Sequence, residues 1–212
     1  MRHPQVALRP AAGAWLGLLL AAVTVPVHAG DDAEDWPCVQ GLVHEISPSV
    51  IWAGPPVEDH LQTWYADAGV SRTVEALIDR RATAQERGAT LDDWLQPVPP
   101  QQREARLTAV FTGVWSRLNS RRKDYIDGIL RYAREQKATS DKLEAYLNEI
   151  AELQDNTDED SIRRLVEVEE TVKWQERIFD QRESGISRLC EQPVRVEEDL
   201  GDIARMIAER LE

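Results

Sequence analysis

The fold is decided by residues 100–154, which read PQQREARLTAVFTGVWSRLNSRRKDYIDGILRYAREQKATSDKLEAYLNEIAELQ. Proline is the residue that most strongly interrupts a helix, and none occurs after Pro100 in this stretch. Apolar side chains recur at spacings of three and four from Leu107 to Leu153, as one face of a helix requires. We therefore predict one helix that begins at Pro100, where the missing amide loses no hydrogen bond, and that extends roughly 80 Å.

The residues that follow predict a reversal of the chain. Residues 154–160, QDNTDED, are polar, and Thr157 or Asp158 is placed to cap a second helix. Apolar residues then recur at helical spacing as far as Cys190 and Pro193, which predicts an antiparallel helix hairpin. Because strict heptads are absent, a hairpin that protrudes from a helical bundle is favoured over a long regular coiled coil.

Shorter amphipathic segments flank the hairpin. Gly69 and Gly88 are expected to end two helices, and Thr90 is expected to cap a third. Gly113 and Gly128 lie inside the long helix, where we expect a neighbouring helix to approach closely. No stretch alternates apolar and polar residues, so no sheet is predicted. The predicted flanking helices span residues 56–69, 71–87, 91–96 and 194–212.

The first 29 residues have the organisation of a secretory signal peptide. Arg2 and Arg9 precede an uncharged apolar run, and Val27-His28-Ala29 offers small residues at the two positions that a signal peptidase recognises. An uncleaved membrane anchor is the alternative, since the run approaches the ~20 residues of a membrane-spanning helix, but Pro26 favours cleavage. We expect an exported protein without a stable membrane span after cleavage, in the periplasm if the source is a Gram-negative bacterium.

The only two cysteines, Cys38 and Cys190, are predicted to form one disulfide. An exported chain with an even number of cysteines usually pairs them internally, although two thiols or an intermolecular bridge are alternatives. Closing a loop of 152 positions stabilises the fold by about 4 to 5 kcal/mol in the chain-entropy model. Cys38 lies in residues 30–55, where prolines and glycines prevent a long helix and apolar side chains predict packing against the body.

These features together predict an all-α protein, a helical bundle with a long antiparallel helix hairpin, an irregular N-terminal cap and one disulfide. The disulfide pins the cap to the base of the hairpin. The predicted organisation is a signal peptide at 1–29, the Trp- and Pro-rich cap at 30–55, short helices at 56–98, the long hairpin at 99–192 and a C-terminal amphipathic helix at 193–212, with 56–212 as one domain.

Charge and residue types exclude several partners and chemistries. The chain without its first 29 residues has 23 basic and 38 acidic residues, and this net charge of −15 disfavours nucleic acid and anionic lipid. Basic runs at 80–81 and 121–123 are interpreted as solvated helix faces. His44 and His60 match no metal, haem or redox motif, and residues 155–160 lack the glycine of a calcium loop. We expect no metal, no cofactor and no catalytic residue.

Tryptophan is the unusual residue of this chain. Trp36, Trp52 and Trp64 lie close together in sequence, where such rings either anchor an irregular segment or line a cage for a cationic or aromatic ligand. Packing is the favoured interpretation. The sequence therefore predicts a non-catalytic structural or adaptor protein that acts through protein contacts of the hairpin. A small-ligand binding module that uses the tryptophan-rich cap is the alternative, and an enzyme of unknown reaction is the second alternative.

Overall fold

The computed structural model describes residues 29–211, and within them every regular element is helical. This confirms the predicted all-α class with its long helix pair; the predicted signal peptide, apart from Ala29, lies outside the described residues. Two turns of 3-10 helix at Glu58–His60 and Trp64–Ala66 precede α3. The α-helices are α1 (Ala29–Glu34), α2 (Pro48–Ile51), α3 (Ala68–Leu77), α4 (Ala84–Leu95), α5 (Pro100–Gln154), α6 (Glu159–Glu183) and α7 (Ile186–Ala208).

Helices α5 and α6 form the predicted antiparallel hairpin. Helix α5 is continuous over 55 residues and starts at Pro100, as expected. Asp158 is the N-cap of α6, because its carboxylate accepts the Ser161 amide at 2.9 Å. Across the hairpin, Arg164 donates to both carboxylate oxygens of Glu149, at 2.7 and 3.3 Å. This pairing fixes the register, since residue 149 of one helix lies opposite residue 164 of the other.

The hydrophobic core is built around the first part of α5. Residues 107–114 are all buried, so this part of the helix is covered on every side. Helices α3 and α7, the two 3-10 turns and the ring of Trp52 surround it, and α4 packs against α3. The buried residues of the core cluster include none between Leu118 and Val196, and only Tyr125 from this interval packs against them, so the distal part of α5 and all of α6 extend away from the core. The body and the hairpin therefore share one helix but not one core.

Gly113 permits the closest approach in this core. A Cβ atom at this position would lie 2.6 Å from Cγ2 of Val74 and 2.7 Å from Cε3 of Trp64. The prediction of a close neighbour is confirmed here, although α3 and a tryptophan provide it rather than the return helix. It is wrong at Gly128, where the nearest atom to a Cβ is Nη2 of Arg131 at 3.9 Å.

The predicted helix over residues 56–69 is wrong. The chain forms two separate 3-10 turns there, and Gly69 lies in the first turn of α3 instead of after the end of a helix. The reason is Asp67, whose Oδ1 accepts the amides of Gly69 at 2.7 Å and Val70 at 3.1 Å. An aspartate that satisfies two free amides starts a helix, and this effect outweighs the tendency of glycine to end one.

The predicted boundaries at 71–87 and 91–96 are also wrong. Helix α3 ends at Leu77, and α4 begins at Ala84 because Thr83 and Glu86 form a capping box, with the Thr83 amide 2.7 Å from the Glu86 carboxylate. Gly88 consequently lies inside α4. Thr90 caps nothing, since its hydroxyl donates to the Glu86 carbonyl one turn earlier at 2.8 Å.

The boundary between the last two helices lies earlier than predicted. Helix α6 ends at Glu183 and α7 begins at Ile186, so Pro193 is inside a helix instead of between two. The turn is made at Gly185, whose amide donates to the Arg182 carbonyl at 2.9 Å. Pro193 is buried within α7, where the loss of one backbone hydrogen bond is tolerated.

Gly113→Ala is expected to destabilise the protein, although alanine is the better helix former by about 1 kcal/mol. The added methyl group must displace Trp64 or Val74, and overpacking of this kind costs about 1 to 3 kcal/mol. We therefore expect a net loss of up to about 2 kcal/mol in the free energy of unfolding, measured by urea denaturation. Gly128→Ala is the control and should be neutral or stabilising; an equal loss in both variants would contradict the packing argument.

Asp67→Ala is expected to make stability less dependent on pH in acid. The amides of Val70 and Gly69 and the charge of Arg106 lower the pKa of Asp67. Stability from a lowered pKa is complete above the unfolded value near 4 and is lost as the pH falls through the folded value. The variant should lose about 1 kcal/mol at neutral pH and should equal the wild type in strong acid. Asp93→Ala, at an exposed position inside α4, is the control and should change the stability little at neutral pH.

Candidate functional site

The predicted disulfide joins Cys38 to Cys190, with a Cα–Cα distance of 5.6 Å. Cys38 lies in the irregular cap, as expected. Cys190 belongs to the second turn of α7 and not to the end of the return helix, because α6 ends earlier than predicted. The bond therefore attaches the cap to the helix that follows the base of the hairpin.

Side chains of α5 hold the backbone of the cap. The Ile46 amide donates to Oδ1 of Asn119 at 3.1 Å, and the Trp115 indole donates to the Ile46 carbonyl at 2.8 Å. Arg122 donates to the carbonyl of Val43. These three polar side chains lie along α5 at spacings of four and three, so they present one continuous row of hydrogen-bonding groups to the cap.

Ion pairs hold the beginning of the cap further along α5. Arg134 donates to Asp35 at 2.6 Å and to Asp32 at 2.5 Å, and these carboxylates raise the pKa of its guanidinium group. His44 also lies near Asp32, with 3.6 Å between Nε2 and Oδ2. The attachment of this segment is therefore electrostatic and covalent more than apolar.

The prediction that the apolar side chains of the cap pack against the body is only partly correct. Trp52 is buried and Ile46 and Ile51 pack against the core, but the side chains from residue 32 to residue 51 include no fully buried one. Val39, Val43 and Val50 are 105%, 51% and 77% exposed. Because the backbone of residues 43–46 is held from one side by polar side chains of α5, the other side of this segment faces solvent.

The three tryptophans of the predicted cluster occupy different environments. Trp52 stacks on Phe111 with ring centroids 4.0 Å apart, and its indole donates to the Pro55 carbonyl. Trp64 packs against α5 at Gly113. Trp36 lies near the disulfide, where it donates to the carbonyl of Gln40, whose side chain in turn bonds to the Cys190 carbonyl. Each ring thus has its own structural partner.

A cavity of about 390 Å³ lies beside the disulfide, between the cap and α7. Its volume is within the range of small-molecule sites. None of the three tryptophans lines it, whereas Trp52 forms part of a second cavity of about 340 Å³. The lining of the larger cavity comprises Pro37, Cys38, Val39, Gln40, Ile186, Ser187, Cys190, Glu191, Val194, Arg195 and Glu198.

The ionisable groups with displaced pKa values lie at helix starts and in surface ion pairs. Hydrogen bonds from Thr83 lower the pKa of Glu86 in the capping box, and the Arg210 guanidinium lowers that of Asp92. In the hairpin, Glu149 and then Glu167 raise the pKa of Arg164. Within residues 29–211, no three His, Cys, Asp or Glu side chains are grouped to hold a metal ion.

Two buried arginines were not predicted. Arg122, only 4% exposed, pairs with Glu197 at 2.6 Å, and Arg87, 8% exposed, pairs with Asp199 at 3.1 Å. Both acids are on α7, so these pairs fasten the last helix to α5 and α4. The interpretation of residues 121–123 as a solvated face is wrong at its middle position, because a run of charges does not reveal which member faces a partner helix.

The distal hairpin, which we define as residues 139–183, exposes apolar side chains. Leu147, Ile162 and Val166 are 51%, 51% and 53% exposed, and Trp174 is 59% exposed. The hairpin also carries 14 acidic and 6 basic residues, a net charge of −8. Among the helices within residues 29–211, none has both the length and the apolar character to cross a membrane.

No protein-family description, curated protein or solved structure matches this chain.

Cys38→Ser is expected to loosen the cap and to leave the hairpin unchanged. Without the bond, the segment is held by partly buried hydrogen bonds to α5, each of which contributes about 0.5 to 1.5 kcal/mol, and by exposed ion pairs, which contribute about 1 kcal/mol or less. Amide exchange at Ile46 should accelerate, while exchange near Leu153 at the hairpin tip should not. Cys190→Ser should behave identically. Unchanged exchange at Ile46 would show that the polar contacts suffice alone.

Proposed function

We propose that this is an exported, non-catalytic helical protein that serves a structural or adaptor role through protein contacts of its distal hairpin. The observation that carries the proposal is the separation of the hairpin from the core. On α5 the last contacts with the cap are those of Arg134 and Lys137, yet the helix continues to Gln154, a further 17 residues or about 26 Å. Helix α6 returns alongside it over 25 residues, or about 38 Å.

The exposed residues of the distal hairpin support a role in binding. A helix pair that served only as a spacer would need apolar residues between its helices and polar residues outside. Val168 and Val172 meet the first requirement, since they are buried between the helices. Val166 and Trp174 violate the second, since more than half of each side chain is exposed. Apolar side chains on a charged, projecting element are typical of a protein-interaction surface.

Export is supported by the disulfide and by the signal-like residues 1–29. A disulfide between distant segments is stable in an oxidising compartment and is rare in a reducing one. In a Gram-negative bacterium, this compartment is the periplasm. The non-catalytic character is supported by the ionisable groups with displaced pKa values, which serve to start helices or to join elements, as Asp158 and Arg164 do.

Binding of a small ligand beside the disulfide is the second candidate, and the cavity of about 390 Å³ favours it. Its walls come from the cap and from one face of α7. Ligand binding in this cavity depends on the position of the cap against α7 and does not depend on the distal hairpin. The two candidates therefore predict opposite effects of shortening the hairpin.

The decisive experiment replaces residues 141–173 with a short Gly-Ser turn. The register places these end positions opposite each other, and the core cluster includes no residue from the deleted part. We expect a folded, disulfide-bonded body that no longer captures its partner from the native cell envelope. Val194→Phe, which narrows the cavity beside the disulfide, is the control and should retain capture.

Site-specific photo-crosslinking locates the contact independently of deletion. A photoreactive residue at position 147 should crosslink to the partner, whereas one at the more exposed position 50 should not. The adaptor proposal fails if the shortened protein captures the partner as well as the wild type does. It also fails if crosslinking occurs at position 50 and not at position 147.

A further inference from the structure

One side of the distal hairpin carries an apolar strip formed by both helices. The strip consists of Leu147 on α5 and Ile162 and Val166 on α6, each about half exposed. Because Glu149 pairs with Arg164, Leu147 lies level with Val166, and Ile162 lies one turn nearer the tip. The three side chains are therefore close along the hairpin axis.

Helix geometry places these side chains on the same side. Leu147 follows the half-buried Tyr146 by one residue, and Val166 follows the half-buried Leu165 by one residue. Each step rotates the side chain by about 100° from the packed face. In an antiparallel pair, equal rotations on the two helices lead to the same side of the pair. The strip consequently borders the groove between α5 and α6.

The charge around the strip is mainly negative, and Arg163, the basic residue next to Ile162, is paired with Asp160 at 3.1 Å. Glu144 lies one turn before Leu147, and Glu169 and Glu170 follow Val166 by three and four residues on the next turn of α6. The distal hairpin as a whole carries a net charge of −8. A second copy would bring the same charge against it, so self-association through this strip is electrostatically unfavourable, and so is an anionic lipid surface.

We propose, on the basis of the proposed function, that this groove receives a basic amphipathic α-helix of a partner protein. Two packed helices lie 8–10 Å apart, and the groove between them accepts the apolar side chains of a third helix. Leu147 on one wall and Ile162 and Val166 on the other contact those apolar side chains. Lysines or arginines on the edges of the partner helix face Glu144, Glu169 and Glu170.

The test uses a fluorescent synthetic peptide of leucine and lysine with the spacing of an amphipathic helix, and measures its binding to the full exported protein by anisotropy. The combined variant L147S/I162S/V166S should weaken binding by at least about tenfold. The matched control V39S/V43S/V50S removes three exposed valines from the cap and should leave the affinity unchanged. A peptide with glutamate in place of lysine should not bind.

A second pair of variants tests the charges. E144Q/E169Q/E170Q should weaken binding several-fold and should reduce its dependence on salt concentration. E58Q/D93N/E104Q removes the same charge from exposed positions on the body and should have a smaller effect. Circular dichroism of each variant verifies that the helices are retained.

Three results would overturn the proposal. The first is equal binding of the basic peptide to the wild type and the strip variant, and the second is no binding to either. The third is a wild-type dimer, detected by sedimentation, that the strip substitutions dissociate. If one of these results is obtained but shortening the hairpin still abolishes partner capture, only the proposal of a groove for a basic helix fails. The adaptor proposal fails separately, when the shortened protein still captures the partner.

Discussion

The rest of the structure depends on the complete burial of residues 107–114 at the start of α5. A helix covered on all sides requires neighbours around its whole circumference, and α3, α7, the two 3-10 turns and Trp52 provide them. Gly113 sets how closely two of these neighbours approach, since Val74 and Trp64 occupy the space of its missing side chain. Because α5 continues without interruption beyond this core, the position of the body fixes the direction of the hairpin.

A second group of interactions fastens the outer elements to this central helix, and it is largely polar. Arg122 joins α5 to Glu197 of α7 and to the backbone of the cap, so one buried cation holds three parts of the molecule. The disulfide then attaches the cap to α7 covalently. Removing a single partner of a buried charge leaves that charge without compensation, which makes such a junction sensitive to substitution.

The distal hairpin is stabilised by fewer buried contacts than the body is. Val168 and Val172 of α6 are buried between the two helices. Near the tip, Arg164 of α6 links the two helices through an exposed ion pair with Glu149 of α5. Elements with few buried contacts belong to the least stable part of a protein, and binding elements are commonly drawn from that part. The apolar strip and the acidic residues around it therefore lie on the element with few buried contacts. This is where we propose that a partner helix packs.

The sequence by itself determined the features that depend on local chemistry. The absence of proline between Pro100 and Pro193 and the polar reversal at residues 154–160 were sufficient to predict the long hairpin, and the two cysteines were sufficient to predict the disulfide. Only the tertiary structure decided where the shorter helices begin, because Asp67 and Thr83 start them through specific hydrogen bonds that outweigh glycine signals. It also decided the burial of Arg122 and the exposure of Val39, since both depend on which face of an element meets a neighbour. The candidate strip has the same origin: Leu147 and Val166 are 19 positions apart, and the pairing of two helices brings them level.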